Sequence, residues 1–237
     1  MDLKEVGLLD GGEDSHWYYV SKARALRRCL AGRQPERILD VGAGSGYFSR
    51  VLLRTTTAKS ATCVDPGYQQ EWSEVEAGKP LVFRQSSPIG DADLVLLMDV
   101  IEHVDDDVGL VRSYADAARP GTRFIVSVPA FSWLWSRHDD FLEHRRRYTL
   151  NRTLDVLSDA GLSPVAGFYF FALLFPAVAA QRLWQRLRPS RQSPKSDLRR
   201  HHPLTNRALT GVCLFESAVA RHNRLFGLTA FGVAEKP

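Results

Sequence analysis

Three clusters in this chain carry side chains able to do chemistry. The first is Asp40-Val-Gly-Ala-Gly-Ser-Gly46, with glycines at 42, 44 and 46. Alternate glycines let the backbone turn sharply and let a ligand approach with no side chain intervening. Asp40 precedes the turn, and a second acid, Asp65, follows Gly46 by 19 positions. Carboxylates accept hydrogen bonds from vicinal hydroxyls or an ammonium and repel the phosphates of a dinucleotide. The spacing also departs from the G-x-G-x-x-G dinucleotide fingerprint. The plainer reading is that Asp40 and Asp65 cap turns. The second cluster is Asp99, Glu102 and His103; the third is Ser136-Arg-His-Asp-Asp-Phe-Leu-Glu-His-Arg-Arg-Arg-Tyr148. Histidine exchanges protons near neutral pH, so both clusters hold groups suited to general base work.

The elements around these clusters alternate between strand and helix. Arg37-Ile-Leu-Asp-Val41 reads as a strand entering the glycine turn, and Tyr47 to Arg54 as the helix leaving it. Further strands are expected at Ala61 to Asp65, Leu81 to Arg84, Leu94 to Met98 and Phe124 to Val128, then Leu162 to Tyr169 and Leu228 to Ala234. Leu94-Val-Leu-Leu-Met98 is a continuous apolar run of the kind covered on both faces. Asp105 is placed to cap the helix carrying Val108, Val111, Ala115 and Ala118, and Thr149 the helix carrying Leu150, Leu154 and Leu157, which Gly161 closes. Such alternation predicts a parallel sheet with helices on both faces, whose ligands bind beyond the carboxyl ends of the strands. The second and third clusters follow the fourth and fifth strands, where such ligands would lie.

At the glycine turn the sequence resembles the class I S-adenosylmethionine-dependent methyltransferases. The resemblance covers Trp17 to about Leu162, through Met98-Asp-Val-Ile-Glu-His-Val104 and Val128-Pro-Ala130, and resumes at the final strand. It implies a Rossmann-like α/β fold with a seven-stranded, mostly parallel sheet and S-adenosyl-L-methionine as cofactor. Asp40, Gly42, Ala43, Gly44 and Gly46 would cradle its amino-acid half. Asp65, followed by Pro66, would hold the ribose hydroxyls, and Met98 and Asp99 would border the cofactor. The chain departs from the family at Gln85-Ser-Ser-Pro88, where many relatives carry an acid for the adenine amine. Ser86 or Ser87 would supply a hydroxyl or a backbone group there instead.

Methyl transfer is an in-line displacement that needs an aligned nucleophile, exclusion of water and, for a hydroxyl acceptor, removal of a proton. His138 is the leading candidate base with Asp139 as its orienter, and His144 and His103 stand behind it. The competing reading pairs Asp139 and Glu143 with Arg145 to Arg147 merely to hold the loop. Glu102-His103-Val104 also resembles polyprenyl-quinone O-methyltransferases, which implies a cation near Asp99, Glu102 and His103. Helix capping accounts for the same residues, and no metal is assigned.

In 237 residues with 44% hydrophobic content there is material for one core, divided into an N-terminal helical lid (1–32), a cofactor-binding core (33–170), a helical insertion (171–226) and a final strand (227–237). Trp17, Tyr18 and Tyr19 on the first helix serve either as a lid over the cofactor or as core packing. Cys29, Cys63 and Cys213 lack metal-ligand spacing and read as buried thiols. No secretory leader or spanning run is read, so a cytoplasmic protein is expected, with peripheral membrane association as an option. Between Arg182 and Arg207 eight basic residues, including Arg188 and Arg191, face Asp197 alone. Following Phe168 to Ala180, this order suits an anionic membrane surface, a cover over an apolar substrate or a homodimer face. Nucleic acid fits less well, since the aromatics do not interleave with the basic residues. The expected activity is O-methylation of a small apolar or aromatic metabolite, lipid- or quinone-like. The alternatives are a non-catalytic S-adenosylmethionine-binding partner or regulatory subunit and, disfavoured by the glycine spacing, a nucleotide-dependent oxidoreductase.

Overall fold

The computed structural model describes residues 5, 8–9, 12–187 and 193–237. Arg188 and Arg191 of the basic stretch lie outside them, as does part of the segment 1–11.

Five strands run parallel: β1 (Arg37–Val41), β2 (Ser60–Val64), β4 (Lys79–Arg84), β5 (Leu94–Met98) and β6 (Arg123–Pro129). Three more complete the sheet: β3 (Trp72–Glu76), β7 (Ser163–Phe170) and β8 (Thr229–Glu235). The order is β3-β4-β2-β1-β5-β6-β8-β7, with β8 antiparallel to both its neighbours. Successive side chains of a strand point to opposite faces. Leu94, Leu96 and Met98 accordingly join the core on one face, and Val95 and Leu97 the core on the other. The first core takes α1 (Trp17–Cys29) and α2 (Tyr47–Thr55); the second takes α3 (Asp107–Ala117) and α5 (Leu150–Asp159).

The sheet has eight strands, not seven. The additional one, β3, forms a hairpin with β4 through Ala77 and Gly78, both at positive φ, the geometry of a tight two-residue turn. It lies at the sheet edge and alternates partly buried with exposed positions, so no apolar run announces it. The cap of α3 is Asp106, not Asp105: its carboxylate accepts from the Gly109 amide at 2.8 Å. Thr149 caps α5 by accepting from the Arg152 amide.

The strand order reverses direction at β1, which has β2 on one side and β5 on the other. Open α/β sheets bind ligands in the crevice at such a switch point. After β6 comes a short helix, α4 (Arg137–Leu142), and between β7 and β8 lie α6 (Phe175–Leu187) and α7 (Pro203–Ser217), of which α7 packs against α1.

Candidate functional site

The glycine turn occupies the switch point. The Gly42 and Ala43 amides donate to the Val64 carbonyl at 2.7 and 3.1 Å, which ties the turn to the end of β2. Glycine is required twice over. Gly42 and Gly46 have φ of 65° and 72°; a Cβ at Gly42 would lie 2.6 Å from a Val100 methyl, and one at Gly46 2.8 Å from the Phe83 ring. Asp65 reaches the same turn: its carboxylate accepts from the Gly44 amide at 3.2 Å and from the Gly67 amide at 2.9 Å. Beneath the turn Asp40 is buried. One of its oxygens accepts from Ser49 Oγ at 2.8 Å, the other has no partner, and burial pushes its pKa up to about 6.

The remaining residues expected around a cofactor are less uniform. Pro66 and Ser86 are exposed beside this cradle, while Ser87 Oγ donates to the Pro88 carbonyl. The Met98 side chain is buried in the core, which leaves its backbone to border a ligand. Asp99 sits at φ 56° with its backbone amide on the Ser127 carbonyl. Its carboxylate pairs with Lys22 of α1, and Tyr18 and Ser127 donate to it at 3.3 and 3.2 Å. Burial works against ionisation of Asp99, but the Lys22 charge and hydrogen bond outweigh it and hold the carboxyl below its ordinary range. Sequence reasoning missed Lys22. The available signal was its position four residues after Tyr18, on the helix face that packs inward.

Beside Asp99 opens a cavity of about 260 Å³ that brings together Glu102, His103, His138 and His144. Trp17, Tyr18 and Phe171 form its aromatic wall, with Tyr18 stacked on Phe171. Tyr19 also lines the cavity and packs on Tyr47 and Phe48 of α2.

The histidines have different roles from those their order in the sequence suggests. Asp139 orients His144, not His138: its Oδ1 lies 2.9 Å from His144 Nδ1. Two Arg147 nitrogens donate to the same carboxylate at 2.7 and 3.0 Å, and the Ser136 amide adds a capping bond at 2.8 Å. Burial would raise the Asp139 carboxyl, but the bonds from His144 and Arg147 drive it well below the usual range. An ionised carboxylate only accepts, so His144 Nδ1 carries the proton and Nε2 presents a lone pair in the neutral ring. That Nε2 is buried and has no partner. His138 Nδ1, by contrast, accepts from the Asp197 amide at 3.1 Å, and burial lowers its pKa. It fastens the segment 195–200 over the cavity, together with the Arg182–Asp197 pair and His16, whose ring nitrogen lies 3.1 Å from the Arg199 carbonyl.

Glu102 is fully buried with both carboxylate oxygens unpartnered; burial, then the Asp99 charge, push its pKa well above the ordinary range. One donor atom from each of Glu102, His103 and His144 lies within 4.8 Å of the others. This cluster of ligand atoms fits a shared proton or a divalent cation. Asp99, expected in that group, is engaged by Lys22 instead.

The family described as "Methyltransferase domain" matches residues 15–166. The chain belongs to that family. It is a class I methyltransferase by fold, and S-adenosylmethionine is the methyl donor of the class. A ubiquinone biosynthesis O-methyltransferase of Xylella fastidiosa (strain M23) is 30% identical over 122 residues, covering 46% of this chain and 45% of that protein. The match thus spans about half the length of the curated relatives. Among solved structures, a chain from the complex of the Haloferax volcanii Trm112 methyltransferase activator with a methyltransferase superposes with a TM-score of 0.57 at 18% identity, over 100% of this chain and 99% of that one. A SAM-dependent methyltransferase from Thermotoga maritima gives 0.58 at 12% identity, over 99% and 98%. At these identities the structures establish the fold alone.

Proposed function

We propose that this methyltransferase moves the methyl group of S-adenosylmethionine to a hydroxyl oxygen of a small apolar or aromatic metabolite, lipid- or quinone-like, with His144 as the general base. The observation that carries the proposal is the buried Asp139–His144 pair, in which a histidine with an unpartnered Nε2 belongs to the lining of an aromatic-walled cavity. The name of the Xylella relative supports a quinone-like acceptor.

In this reading the glycine cradle receives the amino-acid half of the cofactor, and the orphaned Asp40 oxygen suits its ammonium. Asp65 takes the ribose hydroxyls, exchanging its bond to the Gly44 amide for them. Ser86 and Ser87 lie at the adenine end. Lys22 and Tyr18 hold Asp99 still beside the cofactor, and α1 closes the site against water. The acceptor hydroxyl gives its proton to His144 Nε2 as its oxygen attacks the methyl carbon. Asp139 stabilises the imidazolium that forms, and Arg147 keeps Asp139 in place. At about 260 Å³ the cavity lies just below the usual range for ligand sites, so it accommodates a ring and leaves any long tail outside.

A second reading is favoured by the convergence of Glu102, His103 and His144. Those three would hold a divalent cation, whose charge would make an acceptor hydroxyl more acidic. Both readings share one test of the donor and acceptor. S-adenosylhomocysteine should raise the melting temperature while NAD does not. Catechols and hydroxyquinones should then yield O-methyl products; a chain that binds the cofactor product yet methylates none of them is the non-catalytic alternative.

A further inference from the structure

α6 is an amphipathic helix turned inside out. Arg182 faces the protein, where it pairs with Asp197 and lines the cavity beside Val178. Leu183, Trp184 and Leu187 face solvent at 51, 56 and 78% exposure. With exposed Ala177 and Ala180 they make an apolar stripe at intervals of three and four residues, the spacing of one helix face. α7 repeats the pattern with exposed Leu204, Ala208, Val212 and Phe215, the last at 74%. The two helices are tied together where α6 begins. Glu216 of α7 accepts from the Ala172 and Leu173 amides at 2.7 and 3.1 Å, and Phe175 packs on exposed Phe226. Soluble surfaces rarely expose so much contiguous apolar area without a partner for it.

The charges around these stripes have one sign. Among the described residues between 171 and 228, eight are basic and two acidic. Neither acid offsets the basic surface at large, since Asp197 pairs with Arg182 and Glu216 is buried on backbone amides. Arg186, Lys195, Arg207, Arg221 and Arg224 are all exposed. A second copy of the same face would set these charges against each other, whereas anionic lipid headgroups would attract them while the stripes enter the acyl boundary. No described helix is long and apolar enough to cross a membrane, so α6 and α7 would lie in the interface.

We propose that the outward faces of α6 and α7 dock the protein on an anionic bilayer, so that an acceptor with a lipid tail reaches the cavity past the inner face of α6. The purpose of docking rests on the acceptor class proposed above; docking itself is measured without turnover. Full-length protein is floated with phosphatidylcholine vesicles with and without phosphatidylglycerol. It should float with the anionic vesicles, less so as salt rises, and poorly with the neutral ones. Leu187→Glu and Phe215→Glu, one on each helix, should each lower the bound fraction about tenfold. Both positions are exposed, so the melting temperature, S-adenosylhomocysteine binding and turnover of a water-soluble acceptor should be unchanged. A protein that ignores both vesicle types, or variants that bind as the parent does, would overturn the proposal. So would a dimer in solution that these variants dissociate, since a second copy would then be the occupant.

Discussion

Asp139 Oδ1 lies 2.9 Å from His144 Nδ1, and this contact fixes which nitrogen of the ring can take a proton from a substrate. It arises from the local fold. Ser136 and Asp139 form a capping box at the start of α4, and Glu143, at φ 57°, turns the chain so that His144 comes back over Asp139. Replacing Asp139 by Asn should lower kcat about 10²–10⁴-fold with unchanged affinity for S-adenosylhomocysteine, because the tautomer is lost and the cofactor cradle is untouched. It should also cost about 3–5 kcal/mol of stability, since Arg147 loses its buried partner. Calorimetry and turnover below the lowered melting temperature separate the two effects. Because the Asp139 carboxyl is depressed, its contribution to stability is present above the ordinary carboxylate pKa and fades as pH falls below about 4. The Asn variant should therefore lose less stability on acidification than the parent.

His138→Ala should behave differently. His138 holds the segment 195–200 by accepting the Asp197 amide, so its loss loosens the cover over the cavity. The expected result is a raised KM for the acceptor with kcat within about tenfold of the parent, the pattern of lost binding that is common to ground and transition states. A collapse of kcat as large as that of a general base would reassign the base to His138.

Chelation distinguishes the two uses of Glu102, His103 and His144. With His144 as a free base, turnover survives prolonged dialysis against a chelator. If activity disappears and returns with added magnesium or zinc, the three side chains work as ligands and the base must be sought elsewhere.

Asp40 sets a pH signature on cofactor binding. Its pKa, raised to about 6 by burial, means that its proton favours the folded chain; that stabilisation is present below the ordinary carboxylate value and is lost as pH rises through about 6. The ammonium of the cofactor reverses the preference, since it needs the ionised form. S-adenosylhomocysteine should bind more tightly at pH 7.5 than at pH 5, and Asp40→Asn should bind weakly at both. Titration calorimetry at the two pH values reads this directly; an affinity that stays flat in the parent chain removes Asp40 from the cofactor's contacts.

Much of this was legible in the residues. Gly42 and Gly46 announce the turn because only glycine fits where Val100 and Phe83 press on the backbone, and Leu94 to Met98 announces a strand because both its faces are buried. What stayed hidden depends on where chain segments meet. Lys22 looks like an ordinary helix lysine until α1 is laid against the end of β5. The sequence puts His138 ahead of His144 as the base because it adjoins Asp139, whereas the left-handed turn at Glu143 brings His144 to the Asp139 carboxylate. Arg182 belongs in sequence to one basic surface stretch, yet it takes the inward side of its helix because Asp197 is there to meet it.

The central claim is methyl transfer to oxygen with His144 as base, and one measurement addresses it most directly. The parent chain and His144→Ala are each mixed with methyl-labelled S-adenosylmethionine and a catechol acceptor, and the labelled product is followed by mass spectrometry. The account predicts an O-methyl product from the parent and a rate at least about 10²-fold lower from the variant, with equal binding of S-adenosylhomocysteine. Equal rates from the two proteins, or label found on nitrogen or carbon acceptors and never on oxygen, would contradict it.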